Sequence, residues 1–173
     1  GISFAAWLKN KSSATVIFFG DGATEEGSFA ESLNFASLKN LPVMFVCENN
    51  LYSMSTPLSL RQSNKRNRVK IAQENGLLSF QENGNNLEKV SALAKQGVSH
   101  LRSGKGPVYI EFETYRFYNH AGPNQDTSEK QRSEKEQAYW KNLCPLKLYA
   151  QNLLKEKILS SDVQEEMELK IAK

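Results

Sequence analysis

The residues best equipped for chemistry lie between Gly20 and Asn50. Gly20-Asp21-Gly22-Ala23-Thr24-Glu25-Glu26-Gly27 opens this stretch and Cys47-Glu48-Asn49-Asn50 closes it. An aspartate and an asparagine amide supply hard oxygen donors of the kind magnesium accepts, and magnesium fills the rest of its shell with substrate phosphates and water. Glycines at 20 and 22 let a ligand approach the backbone, while a helix starting near Ser28 directs free amides and a positive dipole end toward a phosphate. The chemistry expected here is diphosphate and divalent-metal binding. Glu25 and Glu26 resemble a paired acid-base site, but their place in the first turn before a helix is explained by favourable dipole interaction alone.

These residues meet only if the surrounding elements bring them together. Thr15-Val16-Ile17-Phe18-Phe19 and Leu41-Pro42-Val43-Met44-Phe45-Val46-Cys47 read as buried parallel strands. Between them, Ser28 and Glu31 form a capping box. Phe29, Leu33, Ala36 and Leu38 then repeat at helical spacing until Lys39-Asn40 and Pro42 stop the helix. A right-handed crossover sets both carboxyl ends on one sheet edge, with Asp21 beside Asn49-Asn50.

After Gly76 the pattern repeats. Leu77-Leu78-Ser79-Phe80 reads as a short strand and Asn83-Gly84-Asn85-Asn86 as a turn and cap. Leu87, Val90, Leu93, Ala94, Val98 and Leu101 mark the buried face of a long helix, and residues 107–114 form another strand. The expected fold class is α/β, a doubly wound parallel sheet with helices on both faces. Residues 124–132 are polar and expected to include a mobile loop, with a helix around Tyr139-Trp140 and Leu143. The expected division is an α/β domain over 1–145 and a helical tail over 146–173. That tail should hold two helices parted at Ser160-Ser161-Asp162, with Ser161 and Gln164 as a second capping box.

Composition narrows the function classes. A chain of 173 residues with 39% hydrophobic content can bury one core. Twenty-two basic against 19 acidic residues leave a net charge of +3, which does not indicate a nucleic-acid binder. No apolar run of about eighteen residues spans a membrane and no leader marks secretion, so an intracellular, cytoplasmic protein is expected, or a matrix protein if the source is eukaryotic. Cys47 and Cys144 lack the paired spacing of a zinc site and read as reduced thiols. Arg61, Lys65, Arg66, Arg68 and Lys70 crowd one stretch with no acid between them. They form either a solvated face or a mouth that attracts anions. The first residues, Gly1-Ile2-Ser3-Phe4-Ala5-Ala6-Trp7-Leu8-Lys9, already read as helix without a starting methionine, which suggests a truncated fragment.

The stretch resembles the thiamin diphosphate motif, which begins Gly-Asp-Gly and ends in Asn or Asn-Asn after about thirty residues. More narrowly, Gly20-Asp21-Gly22-Ala23-Thr24 with Leu41-Pro42-Val43 and Cys47-Glu48-Asn49-Asn50-Leu51-Tyr52 looks like the alpha subunit of the decarboxylating component of 2-oxo acid dehydrogenase complexes, pyruvate and acetoin dehydrogenases included. Tyr52-Ser53-Met54-Ser55-Thr56-Pro57 resembles the family's segment after the motif. Glu113-Thr114-Tyr115-Arg116-Phe117-Tyr118-Asn119-His120 resembles its Tyr-Arg loop leading to an active-site histidine. The similarity covers roughly residues 1 to 140.

The resemblance implies thiamin diphosphate and magnesium as cofactors. It implies Gly20, Asp21, Gly22, Ala23, Asn50, Tyr52, Met54 and His120 as cofactor contacts, with His120 catalytic and the metal held by Asp21, Asn50 and the carbonyl of Tyr52. It also implies a beta-type subunit, in an alpha2beta2 assembly, that supplies the glutamate activating the aminopyrimidine. A 2-oxo acid or acetoin is the implied substrate and a lipoyl acyl-carrier domain the acceptor. Regulated members carry a serine after this histidine, whereas Ala121 follows here. The alternatives are another thiamin diphosphate enzyme, such as a ketolase or decarboxylase, and a non-catalytic module that keeps the fold for interaction.

Overall fold

The computed structural model describes residues 1–122, 124 and 132–172. Four parallel strands form the main sheet: β1 (Thr15–Gly20), β2 (Val43–Asn49), β5 (Leu78–Asn83) and β6 (Val108–Glu113), in the spatial order β1-β2-β6-β5. Two short strands, β3 (Tyr52–Ser53) and β4 (Thr56–Pro57), pair as a small antiparallel hairpin after β2. The helices are α1 (Ile2–Leu8), α2 (Gly27–Leu38), α3 (Leu58–Arg61), α4 (Arg68–Glu74), α5 (Leu87–Arg102), α6 (Glu134–Asn142), α7 (Pro145–Lys155) and α8 (Ser161–Ile171). A 3-10 turn, Asp21–Glu25, joins β1 to α2. The α/β class, the parallel sheet and its helical flanks are as expected.

Alternation along β2 explains why helices cover both faces. Val43, Phe45 and Cys47 point to one side, where they meet Phe29, Leu33 and Ala36 of α2, Ala72 of α4 and Tyr109. Met44 and Val46 point to the other, against Val108, Ile110, Phe112 and the α5 residues Val90, Leu93, Val98 and Leu101. Each fully buried aliphatic side chain in these layers contributes roughly 1.5–3 kcal/mol over its exposed state.

Several boundaries differ from the sequence reading. β1 is an edge strand rather than a buried one: Val16, Ile17 and Phe18 are 41%, 42% and 66% exposed, because α5 packs on β2, β5 and β6 and leaves β1 uncovered. The capping box at Ser28 does not form. Glu26 holds the N-cap position in extended conformation without a side-chain bond, since the preceding 3-10 turn brings the chain into α2 two residues early. Leu38 is 72% exposed rather than on the buried face, and so is Leu87 at 37%. β5 runs on to Asn83, and Asn86 caps α5 by accepting from the Lys89 amide at 3.1 Å. In the tail, Ser160 rather than Ser161 caps α8, accepting from the Val163 amide. The expected mobile loop lies largely outside the described residues. Among those described, no helix is long and apolar enough to cross a membrane.

Candidate functional site

The sheet register gathers the candidate residues at one edge. Gly20 pairs with Glu48 and Asn49 with Glu113, so the chain leaving β1 as Asp21, leaving β2 as Asn50 and leaving β6 as Thr114 emerges from neighbouring strand ends. The Thr114 amide donates to the Asn49 carbonyl at 3.0 Å, which ties two of these exits together. Strand β3 of the hairpin packs on the 3-10 turn.

Asp21 is fully buried. Its backbone carbonyl accepts from the Thr24 hydroxyl at 2.6 Å, closing the turn. One carboxylate oxygen, Oδ2, is paired with Arg61; the other, Oδ1, is buried with no donor among the described residues. A buried acceptor without a partner is costly unless something else satisfies it, and a hard cation does so. The residues present therefore fit a metal at Asp21. Among the described residues no cluster of three or more His, Cys, Asp or Glu gathers, so such a metal would rely on one carboxylate with amide, carbonyl and ligand oxygens.

Glycine at 20 and at 22 serves different ends. A Cβ on Gly20 would meet nothing within 4 Å, which leaves the strand end open to an approaching ligand. A Cβ on Gly22 would lie 2.5 Å from Ser53 Oγ, so glycine at this position admits the hairpin. Ala23 is exposed on the same turn.

Asn49 and Asn50 are both turn formers, each accepting from the backbone amide two residues on: Leu51 at 3.1 Å and Tyr52 at 3.0 Å. Leu51 in this turn has φ 67°, and Met54, in the turn between β3 and β4, has φ 52°. Asn49 is buried and donates to Glu111 at 2.9 Å, whereas Asn50 is half-buried. The Tyr52 hydroxyl lies 2.9 Å from Glu136 Oε2, and the Arg132 guanidinium sits 4.3 Å above its ring. Burial first, then the hydrogen bond to Glu136 and its charge, push that hydroxyl up to about 12. Met54 is 64% exposed, and its carbonyl accepts from Arg116 at 2.6 Å. His120 is exposed, beyond the end of β6; among the described residues no hydrogen bond or ion pair joins it to Asp21 or Asn50. The Asp21 and Asn50 exits are thus neighbours.

The sequence reading missed a polar chain beneath the site. Glu111, 1% exposed in the middle of β6, accepts from Arg68 twice, at 2.8 and 2.5 Å, from Asn49, and from the Tyr109 hydroxyl at 3.1 Å. Arg68 also donates to Gln62 at 2.7 Å, and Gln62 donates to Glu25 at 2.7 Å. Burial alone would lower the Arg68 pKa, but its hydrogen bonds to Glu111 and the charge of that carboxylate outweigh this and hold it above the usual range. Burial, then Cys47 and Glu111, raise the Tyr109 hydroxyl. The signal was present: Glu111 interrupts the apolar run Val108-Tyr109-Ile110-Phe112.

The basic stretch is consequently not a uniform anion mouth. Arg61 pairs with Asp21 and Glu25 and Arg68 is buried on Glu111, while Lys65, Lys70 and Arg66, which also bonds the Thr24 carbonyl, are exposed. Nor is Glu25 idle, since its carboxylate anchors Arg61 and Gln62. A cleft of about 730 Å³ runs between the post-β2 segment and this stretch, lined by Leu51, Tyr52, Leu58, Gln62, Arg66, Arg68 and Glu136 among others.

Comparison with known proteins agrees with the geometry. The family described as dehydrogenase E1 component matches residues 1–173. Similar proteins include the 2-oxoisovalerate dehydrogenase subunit alpha of Bacillus subtilis, 34% identical over 167 residues, covering 96% of this chain and 50% of that protein. The pyruvate dehydrogenase E1 component subunit alpha of Rhizobium meliloti is 36% identical over 140 residues, 78% of this chain and 40% of its own length. The 3-methyl-2-oxobutanoate dehydrogenase subunit alpha of Mycobacterium tuberculosis is 32% identical over 167 residues, with 96% and 45% covered. The chain spans half or less of the length of these relatives. With a match along its whole length, a parallel α/β sheet and an Asp21 turn beside Asn49-Asn50, the chain belongs to the dehydrogenase E1 component family, among relatives named as alpha subunits.

Proposed function

We propose that this chain supplies the diphosphate- and metal-binding half of a two-chain site for oxidative decarboxylation of a 2-oxo acid, or cleavage of acetoin, with acyl transfer to lipoamide. The single observation that carries the reading is the buried Asp21 carboxylate, with one oxygen lacking a donor, beside the Asn49-Asn50 turn. Thiamin diphosphate would supply the carbanion chemistry, leaving the protein to bind, orient and exclude water. Asp21, the Asn50 side chain and the Tyr52 carbonyl would hold magnesium. Gly20, Gly22 and Ala23 would admit the diphosphate, Met54 would contact the cofactor, and His120 would hold a proton near the diphosphate or the transferring acyl group. Relatives named for pyruvate and for branched 2-oxo acids support the substrate class without choosing within it. A beta-type subunit would complete the site, and a lipoyl domain would accept the acyl group.

Asp21→Asn removes one anionic ligand and should weaken magnesium-dependent thiamin diphosphate binding by the assembled enzyme at least about tenfold while leaving the fold intact. Calorimetry on both proteins measures this, and unchanged affinity would remove Asp21 from the site. One observation favours a second reading, a non-catalytic module that keeps the fold: Arg61 already pairs with Asp21. Absence of cofactor-dependent turnover with a beta-type subunit would support that reading.

A further inference from the structure

One side chain joins the Asp21 turn to the segment that follows the hairpin. Arg61, the last residue of α3, directs Nη2 to Asp21 Oδ2, Nη1 to Glu25 Oε1, and Nε to the Thr56 carbonyl at 3.0 Å. Its side chain is 10% exposed against 1% for Asp21 and 29% for Glu25. A singly charged cation therefore already sits on the carboxylate read above as the metal ligand.

We propose that Arg61 is the internal counter-charge of the metal site: it neutralises Asp21 and pins the arm from β4 to α3 while no metal is bound, and a divalent cation at Asp21 expels it toward Glu25 and loosens that arm. The inference rests on Asp21 as a metal ligand. A carboxylate this buried is expensive without a partner, which is why the guanidinium is held there. A guanidinium and a divalent ion on the same buried carboxylate repel at close range, where little water screens them. The displaced group has a destination. Glu25 is the more exposed acid, already accepts from Arg61 and is held by Gln62 at 2.7 Å, so Arg61 can keep one ion pair while surrendering the other. Loss of the Asp21 pair removes the innermost of the contacts through which Arg61 ties this arm to the turn.

The test uses Mn2+ alone as the probe, with the full chain, following the free-ion electron paramagnetic resonance signal. Arg61→Gln should bind Mn2+ at least about tenfold more tightly than the unsubstituted chain. Arg61→Lys, which keeps the charge, should stay near the unsubstituted value, and the pair Arg61→Gln with Asp21→Asn should lose the gain. Equal affinity in the unsubstituted and Arg61→Gln chains, whether both bind or neither does, overturns the proposal. A gain that survives Asp21→Asn shows instead that the metal-site reading is wrong, and the inference falls with it. Hydrogen exchange on the unsubstituted chain needs no variant to fold. Mn2+ should speed exchange of the amides over 56–62 and leave β2 protected, and unchanged or slower exchange there contradicts the release.

Discussion

Glu111 shows how one residue can be plain in a sequence and still unread. An acid inside an apolar strand announces a buried charge, yet nothing local says that Arg68, forty-three positions earlier, neutralises it. The ion pair supports Asn49 and, through Gln62, the Asp21 turn, so it joins the fold to the site. Removing one partner leaves a buried charge unpaired: Arg68→Met should cost about 3–5 kcal/mol, read from urea unfolding, whereas replacing both partners with apolar residues of similar volume should cost much less. A similar loss for both variants would show that the pair is not what stabilises this layer. Cys47 offers a second check. Burial first, then the Glu111 charge, push its thiol from 9.0 up to about 12. A folded pKa above the unfolded one means stability that is complete below pH 9 and lost as pH rises toward 12. At pH 8 to 9, iodoacetamide should modify the half-buried Cys144 and spare Cys47 until the chain unfolds, as peptide mass mapping would reveal. Equal labelling of both cysteines in the folded chain would contradict the burial.

Among the elements, those whose information is local were the most legible. The helices α2 and α5, the four strands of the main sheet and the Asn86 cap follow from periodicity and turn chemistry within a few residues, whereas the β3–β4 hairpin, α3 and α4 were not read. What failed depended on partners distant in sequence. β1 has the apolar composition of a central strand, but burial is decided by what covers it, and α5 lies over the other three strands. Ser28 has the right neighbours for a cap, but the 3-10 turn settles where α2 begins. Nor does any local pattern encode the packing of Ser53 against Gly22. Gly22→Ala should cost about 1–3 kcal/mol through overpacking, and adding Ser53→Gly should recover most of it. Thermal unfolding of the two variants separates the outcomes, since a loss that persists in the pair would place the strain elsewhere.

For the molecule as a whole, the sheet brings the proposed metal ligands to one edge but gives the other proposed cofactor contacts little shelter. Gly20, Ala23, Met54 and His120 are exposed, and Val16, Ile17 and Phe18 lie open along the β1 edge. A site on exposed loops must offset the entropy of ordering them, and a second surface lowers that cost. The polar chain from Glu111 to Asp21 preorganises the base of the site, whereas among the described residues no comparable bond supports His120. The two-chain proposal follows from this difference. Calorimetric titration of the chain with thiamin diphosphate and magnesium, with and without a beta-type subunit, measures its consequence. Binding should be weak or undetectable for the chain alone, and tight and magnesium-dependent, with turnover, once the subunit is added. Tight binding and turnover by the chain alone would contradict the two-chain site.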